Sequence, residues 1–214
     1  MTPHLRLDLR APQRHLIRAL LSFQPRQPRV DLRCPSWTPG SYLIRDYVRH
    51  LEGLEVWQGE QRLPARRVTP SGWLVKLDHL APLQVRYAIQ ATELTVRTPH
   101  LNADHGFLAL AAVALEIEGA RWESHELELL LPEGWGAFLS LPQVGAQRWR
   151  AESFDALVDS PVEVGPHREQ VFEVAGVAHR WVSWGEELAA DGSWLLDVER
   201  VCLACCRLMG ADQP

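Results

Sequence analysis

Alternation of apolar and polar residues with a period of two runs through most of this chain and limits its fold more than any other feature. Leu5, Leu7 and Leu9 are separated by polar residues, and the same spacing returns at Val30, Leu32 and Cys34, at Leu54 and Val56, at Val85, Tyr87 and Ile89, and from His125 to Leu131. Successive side chains of a strand point to opposite faces, so the pattern describes strands with one buried and one wetted face, the habit of antiparallel sheets. Turn formers interrupt it at Gln27-Pro28, Gly59, Pro70-Ser71-Gly72, Ala81-Pro82, Asn102 to Gly106, Gly119 and Pro132 to Gly136. That punctuation predicts a mainly β fold, an antiparallel β-sandwich or saddle-like domain over residues 1–165.

The period changes after residue 165. Phe172 to Val174 and Val177 to Trp184, on either side of Ala175-Gly176, predict a hairpin. From Ser193 onward Trp194, Leu195, Val198, Val201, Cys202, Cys205 and Leu208 fall on one helical stripe, with Asp191 or Ser193 as cap and Gly210 as stop. Residues 166–214 therefore read as a truncated α/β segment, hairpin plus amphipathic helix. It is shorter than the roughly 60 to 70 residues that normally support an independent core. Each large stripe residue left in water forgoes roughly 1.5–3 kcal/mol, so the helix is expected to expose a sticky patch or to pair two copies of the chain as a homodimer.

Charge and cysteines narrow the partners. A net charge of −5 over 214 residues offers no electrostatic footprint for nucleic acid or an anionic membrane. No apolar run approaches the roughly 20 residues that span a bilayer, and Met1 to Arg10 lacks a signal-peptide apolar region. Of the four cysteines, Cys202, Cys205 and Cys206 crowd together, which makes no spaced disulfide framework. The expectations are no nucleic acid, no membrane and a cytoplasmic location.

Candidate chemistry is sparse. Cys202, Cys205 and Cys206 lack the further ligands of a structural zinc site and read as packing. His125-Glu126 begins like H-E-x-x-H, but Leu129 stands where the second His belongs and the alternation says strand, making them an ordinary surface pair. His100, Asp104 and His105 form a loop cluster suited to a metal or to acid–base work, although Asn102 and Gly106 already explain it as a turn. Ser160 has no flanking glycines to make a nucleophile elbow, and Cys34 on an alternating strand reads as a small core residue. Nine tryptophans are scattered instead of sharing one strand face, which speaks against a sugar-stacking platform. Asp155, Asp159 and Glu163 make an acidic run that turns and caps explain by themselves. No complete catalytic constellation is present, and no metal ligand set is assigned.

Cys34 to Tyr47 is too irregular for a core strand and too aromatic for a solvated loop, which predicts a rigid corner held by its surroundings. Its order Trp37-Thr-Pro-Gly-Ser-Tyr-Leu-Ile-Arg-Asp-Tyr47 resembles the signature of the amino-terminal half of the glycyl aminopeptidase family, zinc metallopeptidases with a thermolysin-like catalytic domain and usually a PDZ domain. Leu94 to Thr98 with His100 and Leu101, Phe154 to Glu163, and Phe172, Gly176, Val177 and His179 continue the resemblance. The resemblance implies that Trp37, Pro39, Gly40, Tyr42, Arg45 and Asp46 form a structural keystone, with Arg45 and Asp46 as an ion pair. It also implies that Arg97 binds a buried carboxylate or carbonyls, and that Asp159 and Glu163 pass beside the cleft, where a carboxylate meets a peptide's amine.

The family's zinc motif and its Gly-Gly-Leu-Glu-His motif are not in the chain. The resemblance accordingly implies a non-catalytic amino-terminal part of a zinc aminopeptidase that removes amino-terminal residues, glycine preferred. Zinc would belong to the full-length enzyme, with none bound by this chain. Residues 166–214 would begin the catalytic domain, and the partners would be the rest of that domain and, in the full enzyme, the peptide substrate. The alternative is a stand-alone β-sandwich binding or interaction module; a self-contained hydrolase is a third reading.

Overall fold

The computed structural model describes residues 2–39, 41–185 and 192–211. The chain divides into two compact units, Met1–Gly165 and Pro166–Pro214. As the alternation predicts, the fold is mainly β and its sheets are almost entirely antiparallel.

The first unit holds three sheets around one core. The largest has eight strands in the order Gln143–Gly145, Arg148–Ala151, His125–Leu130, His4–Asp8, Leu16–Phe23, Leu83–Gln90, Leu51–Gln58 and Gln61–Leu63. Its one parallel pair joins His4–Asp8 to His125–Leu130. Direct cross-strand neighbours share a face, so the register writes the sheet's two sides row by row. Trp149, Leu127, Leu5, Leu21, Val85 and Val56 form one continuous row across six strands, and all are buried. The next row, on the other face, reads Arg148, Glu128, Arg6, Leu20, Arg86 and Glu55. Arg6 donates to Glu128 across 2.8 Å, and Arg86 lies over the Trp57 ring. Such pairs at the solvent-facing side stabilise little; the apolar row supplies the energy, roughly 1.5–3 kcal/mol for each large side chain buried.

A four-stranded sheet, Glu116–Ile117, Arg29–Arg33, Gly72–Lys76 and Ala65–Thr69, packs into the same core through Val30, Leu32, Trp73 and Val75. The run Leu110 to Leu115 is entirely buried without being strand or long helix. Its backbone still needs partners, and Tyr87 supplies one by donating its hydroxyl to the Val113 carbonyl at 2.9 Å. A five-stranded sheet completes the unit and carries the site described below.

In the second unit Arg168–Val174 pairs with Val177–Ser183 around Ala175 and Gly176, both at positive φ, the twist that a two-residue hairpin turn requires. The helix Ser193–Met209 stops at Gly210 in the left-handed region, as the sequence predicts. Its start differs. Gly192 occupies the cap position and no side chain caps the helix, while Asp191 lies outside the described residues. The covered stripe is rotated as well: Leu195, Val198, Cys202, Leu203 and Cys206 are covered, whereas Val201, Cys205 and Leu208 are exposed. Trp194 keeps its place on the predicted stripe, its ring meeting Trp181 of the hairpin edge-on at 4.7 Å, and the departure lies in the later turns. Among the described residues no helix is long and apolar enough to cross a membrane.

His125 is not the surface residue that its strand position suggests. It is buried against the Phe154 ring, with Nδ1 at 2.7 Å from the Glu123 carbonyl. Burial lowers its pKa below the ordinary value, and burial does the same to His50 and His4. The unfolded chain takes up protons near pH 6.5 while the folded one does not, so this part of the stability is complete above about pH 6.5 and shrinks as pH falls below it. The urea midpoint should therefore be lower at pH 5.5 than at pH 7.5. His125→Gln should be less stable than the parent at pH 7.5 but show a flatter pH dependence; equal slopes for the two proteins would remove His125 as a cause.

Candidate functional site

The five-stranded sheet runs Gly136–Phe138, Val162–Gly165, Gly106–Leu108, Thr98–Leu101 and Thr92–Thr95, antiparallel throughout. Its short strands alternate sharply. Leu101, Leu108, Val162 and Val164 point into the core and are fully buried. On the opposite face, His100 pairs with Phe107, Phe107 with Glu163, and Glu163 with Phe138, so one row of four side chains crosses four strands. Glu163 thus stands between two half-buried phenylalanines, and its side chain is 39% exposed.

His105 is brought to the same row by a turn. The Asn102 side-chain oxygen accepts from the backbone N–H groups of Asp104 and His105, both at 2.9 Å, and the Asn102 N–H donates to the His105 carbonyl. The His105 ring is buried, with its centroid 5.0 Å from that of His100 and its Nδ1 3.8 Å from Glu163 Oε2. Asp104, grouped with these histidines from the sequence, is exposed on the turn instead. Behind the turn, Gly106 has no room for a side chain: a Cβ would lie 2.9 Å from both Leu101 Cδ1 and Val164 Cγ2. The arrangement is a carboxylate flanked by aromatic rings and backed by imidazole, chemistry that suits a cationic amine. The carboxylate supplies charge and hydrogen-bond acceptors, and the ring faces favour a cation.

The other sequence candidates fall elsewhere. Asp159 ends the short helix Phe154–Val158, which the sequence reading did not foresee and which Ser153 caps by accepting from the Ala156 N–H. Exposed, Asp159 lines a cleft of about 560 Å³ together with Trp37, Pro39, Arg121 and Asp155. Arg121 bridges Asp155 and Glu116 there, at 2.9 and 3.3 Å. Ser160 is buried and donates to the Ala156 carbonyl at 2.8 Å, so its hydroxyl is spent on the helix end. Cys34 is buried in the core, where desolvation pushes its thiol up to about 12, the reverse of what a nucleophile needs.

The Trp37–Asp46 corner is held differently from the expectation. It is bonded to itself: Trp37 Nε1 donates to the Ser41 carbonyl at 2.7 Å, the Ser41 hydroxyl donates to the Leu43 carbonyl at 2.8 Å, and the Arg45 N–H donates to the Ser36 carbonyl at 2.7 Å. Its rings stay outside, Trp37 at 50% and Tyr42 at 98% exposure. Gly40 lies outside the described residues. Among those described, Arg45 and Asp46 form no ion pair. Arg45 Nε donates to the Ser41 hydroxyl at 3.2 Å, while Asp46, at φ 33°, opens the 3₁₀ turn Tyr47–His50. Arg97 does not grip a buried carboxylate; it sits exposed in the two-residue turn between Thr92–Thr95 and Thr98–Leu101. The aromatic flanks Phe107 and Phe138 were missed by sequence reasoning, although Gly106-Phe107-Leu108 and Val162-Glu163-Val164 share the alternation that was read elsewhere.

Residues 4–166 match the peptidase M61 N-terminal domain. The chain belongs to this family. Among solved structures it is similar to an aminopeptidase N family protein from Idiomarina loihiensis, with 26% identity and a TM-score of 0.92, covering 98% of this chain and 37% of that one. An M1 zinc metallopeptidase from Deinococcus radiodurans shares the fold with 11% identity and a TM-score of 0.56, over 99% of this chain and 53% of that one. The M61 chain therefore spans about a third to a half of the length of the solved structures it resembles. A comparison with curated proteins returned no match.

Gly106→Ala tests the wedge behind the site. Overpacking against Leu101 and Val164 should cost about 1–3 kcal/mol, read as a lower urea midpoint; an unchanged midpoint would show that the sheet yields at no cost.

Proposed function

We propose that this chain is the amino-terminal, non-catalytic part of a zinc-dependent aminopeptidase that removes amino-terminal residues from peptides, with glycine preferred, and that a PDZ domain belongs to the same polypeptide. Family membership supports the peptidase reading, and zinc metallopeptidases stand among the proteins that share the fold. The observation that carries this chain's own role is the Glu163 carboxylate, set between Phe107 and Phe138 with His105 beside it.

In this reading Glu163 binds the protonated amine that every aminopeptidase substrate presents. Phe107 and Phe138 limit water around the ion pair, which strengthens it relative to an exposed pair. Such a contact fixes the distance between a substrate's first residue and the bond to be cut, and so separates an aminopeptidase from an endopeptidase. Zinc in the complete enzyme would supply an activated water and a polarised scissile carbonyl. No H-E-x-x-H motif occurs in this sequence, and none of its residues is assigned that chemistry.

The test uses the full-length gene product on glycyl and leucyl amide substrates, with and without a chelator. Glycine should be cleaved faster, chelation should abolish turnover, and the 214-residue chain alone should be inactive. Glu163→Gln should raise KM for free-amine substrates about tenfold or more, with a smaller change in kcat. Peptidase activity that survives chelation would refute the zinc assignment. Absence of any peptidase activity would leave the binding-module alternative.

A further inference from the structure

A second pocket lies away from the Glu163 row, between the Arg45–Arg49 segment and the turn that carries Arg97. It measures about 290 Å³ and is lined by Arg45, Arg49 and Arg97, by Asp46 and Glu93, and by an apolar lip that includes Ile44 and Val96. Both walls are fixed by local bonds. On one, the Thr95 hydroxyl oxygen accepts from the backbone N–H groups of Arg97 and Thr98, each at 3.1 Å, and lies 2.6 Å from the Thr98 hydroxyl. On the other, the Arg45 backbone is tied to Ser36 and its Nε to Ser41.

The charges in this pocket are only partly matched. Arg49 reaches Glu93 at 3.5 Å. Among the described residues, Arg45 and Arg97 have no carboxylate partner although Asp46 lines the same pocket. Three arginines and two acidic residues line it, a local excess of one positive charge in a chain whose net charge is −5. Beside this excess the loops hold apolar side chains in water: Leu43 is 61% exposed, Ile44 73%, Leu94 60% and Val96 79%. Leaving such groups exposed forgoes burial energy.

We infer that this pocket takes the carboxylate of a peptidic ligand, Arg45 and Arg97 receiving the anion while Ile44 and Val96 cover the adjoining apolar side chain. Guanidinium groups match a planar carboxylate with paired hydrogen bonds. One surplus charge suits a monoanion; a phosphate dianion would meet Asp46 and Glu93 with a charge left over. The inference rests on the peptidase reading only for the statement that the ligand is a peptide, and it adds that the peptide's carboxylate end or an acidic side chain is recognised.

The experiment titrates the isotope-labelled 214-residue chain with N-acetylleucine and with N-acetylleucinamide, following backbone amide shifts. An acetylated ligand has no free amine, so the result does not depend on Glu163 or on any turnover. N-acetylleucine should shift amides within residues 43–49 and 93–98, and the amide form should bind at least tenfold more weakly. Arg97→Gln, on an exposed turn, and Arg45→Gln, half-buried beside Ser41, should each weaken N-acetylleucine about five- to tenfold while the remaining spectrum stays that of the folded parent. Equal binding of the acid and the amide, shifts confined to other residues, or tighter binding of inorganic phosphate than of N-acetylleucine would each overturn the assignment. If the full-length enzyme proves to be an aminopeptidase and these titrations fail, the carboxylate pocket is wrong and the peptidase reading stands.

Discussion

The register of the strand His4–Asp8 is the constraint on which the first unit depends. It lies at the centre of the eight-stranded sheet, antiparallel to Leu16–Phe23 on one side and parallel to His125–Leu130 on the other. The parallel pairing ties the start of the chain to a segment more than a hundred positions away, and loop closure of that kind must be offset by what the contact buries. Leu5 and Leu7 do so at once by completing the apolar rows of both neighbours. A slip of one residue would turn His4, Arg6 and Asp8 inward and face Leu5 and Leu7 to water. The hydrophobic pattern therefore sets register, and register sets which residues share a face.

The same rule, applied to the five-stranded sheet, produces the candidate site. Strands of three or four residues have only one or two side chains on each face, so core packing of Leu108, Val162 and Val164 obliges Phe107 and Glu163 to stand together on the other side. Gly106 lets the sheet close against the core where any side chain would collide. A carboxylate between aromatic rings is thus a by-product of burying valines and leucines, a site made by positions that alternate with structural ones. The Asn102 turn adds His105 by local hydrogen bonds.

Much of this was legible in the sequence because period-two alternation reports burial directly. The mainly β character, the hairpin about Ala175-Gly176 and the helix stop at Gly210 all followed from local rules. What was not legible depended on contacts between distant segments. His125 looks like a surface residue until Phe154 packs on it, and the helix covers Leu203 and Cys206 in place of Val201, Cys205 and Leu208, a choice that the apolar stripe alone does not make. The Trp37–Asp46 corner was misread for a different reason. Aromatic content suggested burial, but the loop bonds to itself through Trp37 Nε1, the Ser41 N–H and hydroxyl and the Arg45 N–H, and its rings stay outside. Glu163 was picked out by its resemblance to a family motif, whereas its aromatic flanks become visible only when the three strands are placed in register.

The most direct test of the account is a crystal structure of the full-length gene product bound to a peptide analogue that resists cleavage and keeps a free amine. The account predicts the amine nitrogen within about 3 Å of a Glu163 carboxylate oxygen, with Phe107 and Phe138 on either side. An amine bound entirely by residues outside this chain, with Glu163 facing water, would contradict it.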